Sequence, residues 1–520
     1  MNKLDHLIPK IKRNLKLFKK PGVLFVRPGY CHKKGWPTNK EAIVVVTSQR
    51  AGKVKLPSSI EGTAVEVRRA SDLEQFSHDK PQQFSKAADH RAELRGSSLP
   101  EFNPSAAAVH PKITAAVAAS RQQKAQINYT PANVSLSPVA GTIRMTCHVS
   151  PDAGWPTLKE FVSGTRNRLK VSMYDFTSAH VLDLFTQQLS GDKLQITLDD
   201  PPRNPTADQT DPQTVSALSS AVTNFSQAWA LVRSSPEADT WIFPTAYHIK
   251  VMVRDSDTVW LSSGNLNNSN QPDMDPLGAP QPSDQKTAAA SDRDWHVVME
   301  SPELAGIFEA YLDQDFQDAT LHAAPTLTAA RRQPAQASTP NLPGLDQPVV
   351  GKFNFVGPKV INEPVTITPL LTPDKGDYQA AMLALINGVK KSLYIQLQYI
   401  HPTSIAADSP FTDLIDAVGK KIDAGLDVRI ILSQFQVPKG GLDALQAAGI
   451  NLNNVKIQNR VHNKGFVFDH TKVVVSSMNW SGEGVLENRD AGVIIDNATA
   501  AAYYEKVFLD DWANHAKQHS

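Results

Sequence analysis

"YHIKVMVRDSDTVWLSSGN" occupies residues 247–265, and "VHNKGFVFDHTKVVVSSMNW" occupies residues 461–480. Each reads as a strand, a tight turn and a second strand that ends in small polar residues. Residues two apart in an extended chain share a face, so His248 and Lys250 point the same way, as do His462 and Lys464. Asp255 follows Lys250 at the interval by which Asp469 follows Lys464, and the pair Ser263 and Asn265 recurs as Ser477 and Asn479. One pattern of His, Lys, Asp, Ser and Asn is therefore written twice at a constant offset.

Each copy lies inside a longer repeat. Both repeats open with a strand and a Pro-Asp-Xaa-Gly turn, "VSPDAGWPTLKEFV" and "LTPDKGDYQAAMLAL". A helix follows, then an alternating strand ("LKVSMYDF", "SLYIQLQYI"), a second helix and another strand. After the doubled motif, each repeat carries Arg-Asp before an apolar run ("DRDWHVVME", "NRDAGVIID") and closes with a helix. Strands alternating with helices predict an α/β fold of two pseudo-symmetric α/β/α units with mixed sheets. The expected organisation is a basic amphipathic helix at 1–21, a small α/β or β-rich lobe of unknown role at 22–90 and a connector at 91–139. The first unit follows at 140–322, then a Pro- and Ala-rich linker at 323–349 and the second unit at 350–520.

The composition narrows the function classes. A net charge of +1 gives no global basic field of the kind a general nucleic-acid binder shows. With only two cysteines, Cys31 and Cys147, neither a disulfide framework nor a cysteine-rich zinc site can be built. No apolar run approaches a bilayer span and the N-terminus lacks signal-peptide character, so a cytoplasmic protein is expected. Leu4, Leu7, Ile8, Ile11, Leu15 and Phe18 recur at helical spacing among Lys and Arg. Two readings stay open for this helix: peripheral membrane contact through residues 1–20, or docking on its own domain.

The doubled motif resembles the HxKxxxxD signature of the phospholipase D superfamily with its trailing Gly-Ser-Xaa-Asn. Ser262 and Ser476 stand where the glycine is usual. The likeness covers roughly residues 140–520 and implies two phospholipase D-like units in one chain, hence a monomer with a whole site. It also implies hydrolysis or transfer of phospholipid headgroups through a covalent phosphohistidine. A metal-independent nuclease acting on DNA or RNA is the alternative, and a non-catalytic lipid- or nucleic-acid-binding protein is a third reading. No metal or cofactor is expected.

The chemistry suits the residues. A neutral imidazole can attack phosphorus, and a protonated one can give its proton to the leaving oxygen. Ammonium groups can hold the charge on the non-bridging oxygens. By resemblance, His248 is taken as nucleophile and His462 as acid. Lys250, Lys464, Asn265 and Asn479 are taken as phosphate ligands, assisted by Ser263 and Ser477, while Asp255 and Asp469 are structural. Asp490 and Asp294 are expected to fix the imidazole tautomers, each for the histidine of its own unit, with Glu487 as the fallback beside Asp490. His296 is read as structural and the His470–Lys472 pair as a decoy, while His180 and His401, which follow the strands of the two half-sites, either line the cleft or lie on the surface. The Pro-rich insertion at 271–291 either shapes the substrate entrance or is a neutral surface loop.

Overall fold

In the computed structural model, the described residues are 4, 6–33, 36–48, 54–69, 129–321 (without 190, 192, 200–206 and 236–237) and 352–518 (without 375–376, 404–405 and 438–439). Residues 70–90, the connector at 91–128 and the linker at 323–349 lie outside them. No helix among the described residues is long and apolar enough to cross a membrane.

The two repeats build one continuous 15-stranded sheet rather than two separate ones. The seam is an antiparallel pairing of the opening strands, Val139–Ser150 with Lys359–Thr372, running from Cys147 opposite Lys359 to Val139 opposite Ile367. Either strand alone would leave an open sheet edge; pairing them satisfies both. Outward from the seam, the halves repeat one order. The first half runs Asp294–Glu300, Thr258–Ser262, Lys250–Arg254, Arg168–Met173, Lys193–Leu198 and Asn224–Trp229. The second runs Asp490–Asp496, Lys472–Ser476, Lys464–Phe468, Ser392–Leu397, Asp427–Ser433 and Val455–Gln458, with Ala516–Gln518 added at its edge. Strands near the seam are antiparallel and those further out parallel, as expected where hairpins give way to helix crossovers, while the added edge strand Ala516–Gln518 is antiparallel.

The core is divided to match. One apolar cluster draws on both halves, joining Val251, Trp295 and Phe308 to Ile367, Val493 and Phe508. It includes residues of both closing helices, Pro302–Leu321 and Ala498–Asp510. Each half has a further cluster of its own, around Phe185 and Trp260 in the first and Phe411 and Trp480 in the second.

The N-terminal lobe is a four-stranded sheet ordered Val23–Lys33, Trp36–Thr47, Thr63–Arg69, Ser59–Ile60. The expected single helix is two short ones, Leu7–Arg13 and Leu15–Phe18, with Pro9 in the first turn, where a missing N–H is tolerated. Leu7, Ile11 and Phe18 are buried, and Ile11 and Phe18 pack with Ile43, Val45 and Ile60 of the sheet. The apolar stripe is used within the lobe, so the docked-helix reading describes it and insertion of that stripe into a bilayer does not.

The halves fit through unequal partners at matched positions. Trp295 follows Asp294 where Ala491 follows Asp490, and Gly465 follows Lys464 where Val251 follows Lys250. A Cβ on Gly465 would lie 2.3 Å from Trp295 Cε3, so the large indole is accommodated only because its neighbour is a glycine. Gly465→Ala is expected to destabilise the fold by about 1–3 kcal/mol through overpacking. Chemical denaturation measures this; an unchanged midpoint would show that the indole can move aside.

Candidate active site

The doubled motif is positioned by backbone contacts that cross between the halves. Tyr247, before His248, bridges to Arg489, whose N–H donates to Ala246 O at 2.9 Å. Val461, before His462, bridges to Arg293 in the same way; Arg293 N–H donates to Arg460 O at 2.7 Å and His462 N–H to Arg293 O at 3.1 Å. Each Arg-Asp pair is thus stitched to the histidine of the opposite half. The carboxylates cross with it. His248 Nδ1 donates to Asp490 Oδ1 at 2.8 Å, and His462 Nδ1 donates to Asp294 Oδ1 at 3.0 Å. This corrects the expectation that each aspartate serves the histidine of its own unit: the bridges bring the other histidine to it. Asp490 and Asp294, rather than Glu487, occupy the Nδ1 positions of the two imidazoles. With Nδ1 so held, Nε2 is the nitrogen left for chemistry on each ring.

Two buried arginines lock this crossing. Arg293 donates to Ser150 O at 2.9 Å and to Asp152 Oδ2 at 2.5 Å in its own opening turn, and bonds both oxygens of Asp511 at 2.9 and 3.1 Å. Arg489 bonds Asp374 of its own turn and Asp315 at 2.7 Å, and also contacts Tyr129 OH. Asp511 and Asp315 each come from the closing region of the opposite half. Buried ion pairs of this kind contribute little net stability because desolvation offsets the attraction. They enforce register, since any slip leaves a buried charge unpaired. None of these six groups was marked as a site residue in the sequence, although their repeat-matched positions carried the signal: Asp152 with Asp374, Asp315 with Asp511, Arg293 with Arg489.

The remaining motif residues divide into three roles. Asp255 and Asp469 lie at hairpin turns whose central residues all take positive φ, 52° and 58° at Asp255 and Ser256, 49° and 62° at Asp469 and His470. This is the sign that both central positions of a type I′ turn require, and Asp tolerates it. The Asp255 carboxylate accepts the N–H groups of Arg166, Asn167 and Arg168, and that of Asp469 accepts those of Lys390, Lys391 and Ser392. Each ties the hairpin to the neighbouring strand's start. Ser263 Oγ donates to Asp294 Oδ1 at 2.6 Å, and Ser477 Oγ donates to Asp490 Oδ1 at 2.5 Å. A hydroxyl has one proton, and here it is directed at the carboxylate. The serines therefore hold the aspartates, which corrects their expected part as phosphate donors.

Lys250 and Lys464 are fully buried, and each ammonium donates to the carbonyl of the histidine two residues earlier. Lys464 Nζ also lies 3.1 Å from His462 Nε2. Lys250 sits 5.2 Å from the Tyr174 ring centre, and the same ring meets His248 edge-on at 4.9 Å. Asn265 and Asn479 are buried at the ends of the second hairpin strands, and the Asn265 side-chain oxygen has no partner among the described residues.

Burial makes both motif histidines and both motif lysines easier to deprotonate. It pushes His248 well below the ordinary histidine range, helped by Lys250 and by Lys464 of the other half. It also lowers His462, with Lys464 adding and Asp294 opposing. Burial brings Lys464 down to about 8. The two aspartates diverge. Burial pushes Asp490 up to about 7 despite Lys250 and Ser477. At Asp294 burial is outweighed by His462 and Lys464, which hold the carboxyl below its usual range.

The other histidines are engaged elsewhere. His296 is buried between Ser262 Oγ at 2.7 Å and Ser150 Oγ at 2.8 Å, and burial takes it down to about 4. His180 bonds Ser178 Oγ and the backbone oxygen of Gln271, at the start of the insertion. His401 stacks on Tyr399 at 4.0 Å. His470 pairs with Glu505 in its turn, and Lys472 with Asp496. Among the described residues, Asp510, Asp511 and His515 bring candidate metal-ligand atoms within 4.8 Å of one another. Both Asp511 oxygens already bond Arg293, so a cation there would face a guanidinium.

Two imidazoles backed by carboxylates and flanked by ammonium groups form an arrangement in an α/β protein that is suited to nucleophilic and acid–base chemistry on an anionic group. Residues 382–512 match the family model described as "Cardiolipin synthase, PLD-like domain". Those residues lie in the second half of the doubled repeat, and the likeness to that PLD-like domain is a likeness of this part of the chain. Comparison with curated protein sequences yields no match. Among solved structures, the chain is similar to phosphatidylserine synthase of Haemophilus influenzae Rd KW20 at 14% identity, covering 71% of this chain and 87% of that one with a TM-score of 0.46. It is similar to Nuc, a phospholipase D family member of Salmonella typhimurium, at 16% identity, covering 30% and 99% with a TM-score of 0.24. It is also similar to NucT of Helicobacter pylori at 14% identity, covering 34% and 97% with a TM-score of 0.25.

The crossed pairs make a prediction that needs no substrate. The Asp294 carboxylate favours the imidazolium of His462, so Asp294→Asn should shift the His462 titration to lower pH, followed by NMR. The substitution should leave the backbone fold intact. An unchanged or raised His462 titration would mean that the crossed pair does not form in solution.

Proposed function

We propose that the chain cleaves or exchanges the headgroup of a glycerophospholipid through a covalent phosphohistidine. The observation that carries this reading is the pair of crossed His–Asp bonds, which gather both motif copies into one buried site. Neutral His248 Nε2 attacks phosphorus while the bond to the headgroup oxygen breaks. Protonated His462 gives its Nε2 proton to that oxygen. His462 then takes a proton from water or an alcohol, whose oxygen displaces His248 from phosphorus. Lys250 and Lys464 stabilise the non-bridging oxygens, with Asn265 and Asn479 as neutral donors.

The environments of the two histidines support this division. The His248 side chain is 3% exposed and that of His462 is 12% exposed. His462 leans on the more firmly ionised aspartate, which favours an imidazolium; His248 is driven further towards the neutral base. The family model's description names a lipid synthase, which speaks for lipid over nucleic acid and for an alcohol as well as water among the acceptors.

The test is a paired assay on purified protein. Phosphatidylethanolamine and phosphatidylglycerol in neutral detergent micelles are scored for headgroup release, and single- and double-stranded DNA and RNA for cleavage. Headgroup release is expected, with His248→Ala and His462→Ala each lowering it by roughly 10³-fold or more. Strand cleavage without headgroup release would replace this reading with the nuclease one, and retained turnover in either variant would remove the two-histidine mechanism.

A further inference from the structure

The near-neutral total charge conceals a strong division. Residues 1–69 hold 16 Lys and Arg against 4 Asp and Glu, while the rest of the chain holds 37 against 48. The catalytic body is thus acidic and the N-terminal lobe strongly basic. An acidic body is repelled by an anionic bilayer, and a basic module of this size opposes that repulsion and orients the molecule.

The lobe's helices show how the charge is presented. Leu7, Ile11 and Phe18 face inward. Lys10 is turned to the lobe as well, donating to Glu61 O at 3.2 Å and Thr63 Oγ1 at 2.9 Å, and Arg13 pairs with Glu61. Lys12, Lys16 and Lys19 are exposed and bond nothing among the described residues. Between them stands Leu17, 41% exposed, one of the few large apolar side chains so open to solvent among the described residues. Three unpaired ammonium groups around one exposed leucine fit a phosphate-rich surface with an apolar layer beneath it. An anionic lipid surface offers the phosphates and, beneath them, an apolar place for the leucine.

We propose that the N-terminal lobe is an electrostatic docking module for an anionic phospholipid surface. Its outward face, Lys12, Lys16, Leu17 and Lys19, makes the contact while the apolar stripe of the same helices stays packed on the lobe. The choice of a lipid surface over a nucleic acid rests in part on the phospholipid reading of the active site. The docking itself requires no catalysis.

The test uses the full-length chain with His248→Ala, so that lipid is not consumed, in co-sedimentation with vesicles. Vesicles of phosphatidylcholine containing phosphatidylglycerol should bind the protein, and binding should weaken steeply as salt rises. The triple substitution Lys12→Gln, Lys16→Gln and Lys19→Gln should lower partitioning by about 100-fold, at roughly fivefold per lysine. The matching triple substitution to arginine should retain it. Introduced into the chain with His248 intact, the glutamine triple should keep its rate on micellar phospholipid, so a failed catalytic reading and a failed docking reading give different results. Equal binding to phosphatidylcholine alone, or undiminished binding by the glutamine triple, would overturn the proposal. Lysine-dependent retention of single-stranded DNA by a protein that ignores the vesicles would also overturn it and assign the face to nucleic acid.

Discussion

Each imidazole of this site is held by a carboxylate that belongs to the other half of the molecule. A histidine can act as base or acid at Nε2 only while its Nδ1 proton is fixed. Here that constraint couples the halves, because Asp490 bonds His248 and Asp294 bonds His462. Neither half contains a complete acid–base device. The paired opening strands, the Arg293 and Arg489 ion pairs and the closing helices in the shared core all hold two separately encoded elements at hydrogen-bonding distance. Their buried charges make misregister costly, a role distinct from raising stability.

The duplication is close but unequal, and the inequalities are chemically useful. Both serines direct their proton at an aspartate, yet Asp294 is held low while Asp490 rises to about 7. Two near-identical histidines are thereby given different preferences for the proton, which a mechanism with one nucleophile and one acid needs. Packing diverges at the same places. Gln396 Nε2 donates to Asp511 Oδ2 at 2.8 Å in the second half. At the matched position of the first half stands Ser172, which accepts from Tyr247 OH at 3.0 Å. Trp295 fills the space left by Gly465, where Val251 and Ala491 stand at the corresponding positions.

Much of this was legible in the sequence, for identifiable reasons. Strand alternation and the repeated turns report backbone periodicity, which local sequence encodes, so the two α/β units and their element order could be read directly. The motif spacing likewise exposed His248, Lys250, His462 and Lys464, because residues two apart on a strand share a face. What could not be read was which half meets which. The crossing of Asp294 and Asp490 depends on single backbone bridges at Tyr247 and Val461, and no local pattern encodes them. The part of Ser263 and Ser477 was misread for a related reason: a hydroxyl near a phosphate site and one pointed at a carboxylate look alike in sequence. The charge division between residues 1–69 and the rest was visible in composition but hidden by the whole-chain total.

The central claim is that the two histidines divide the work, His248 forming the bond to phosphorus and His462 moving the proton. The most direct measurement is acid-sensitive trapping of the enzyme during turnover of phospholipid labelled in the phosphatidyl moiety, with the modified peptide identified by mass spectrometry. A phosphatidyl group is expected on His248, absent from His248→Ala and still formed, more slowly, in His462→Ala. Label on His462, or turnover with no protein-bound phosphatidyl group, would contradict it.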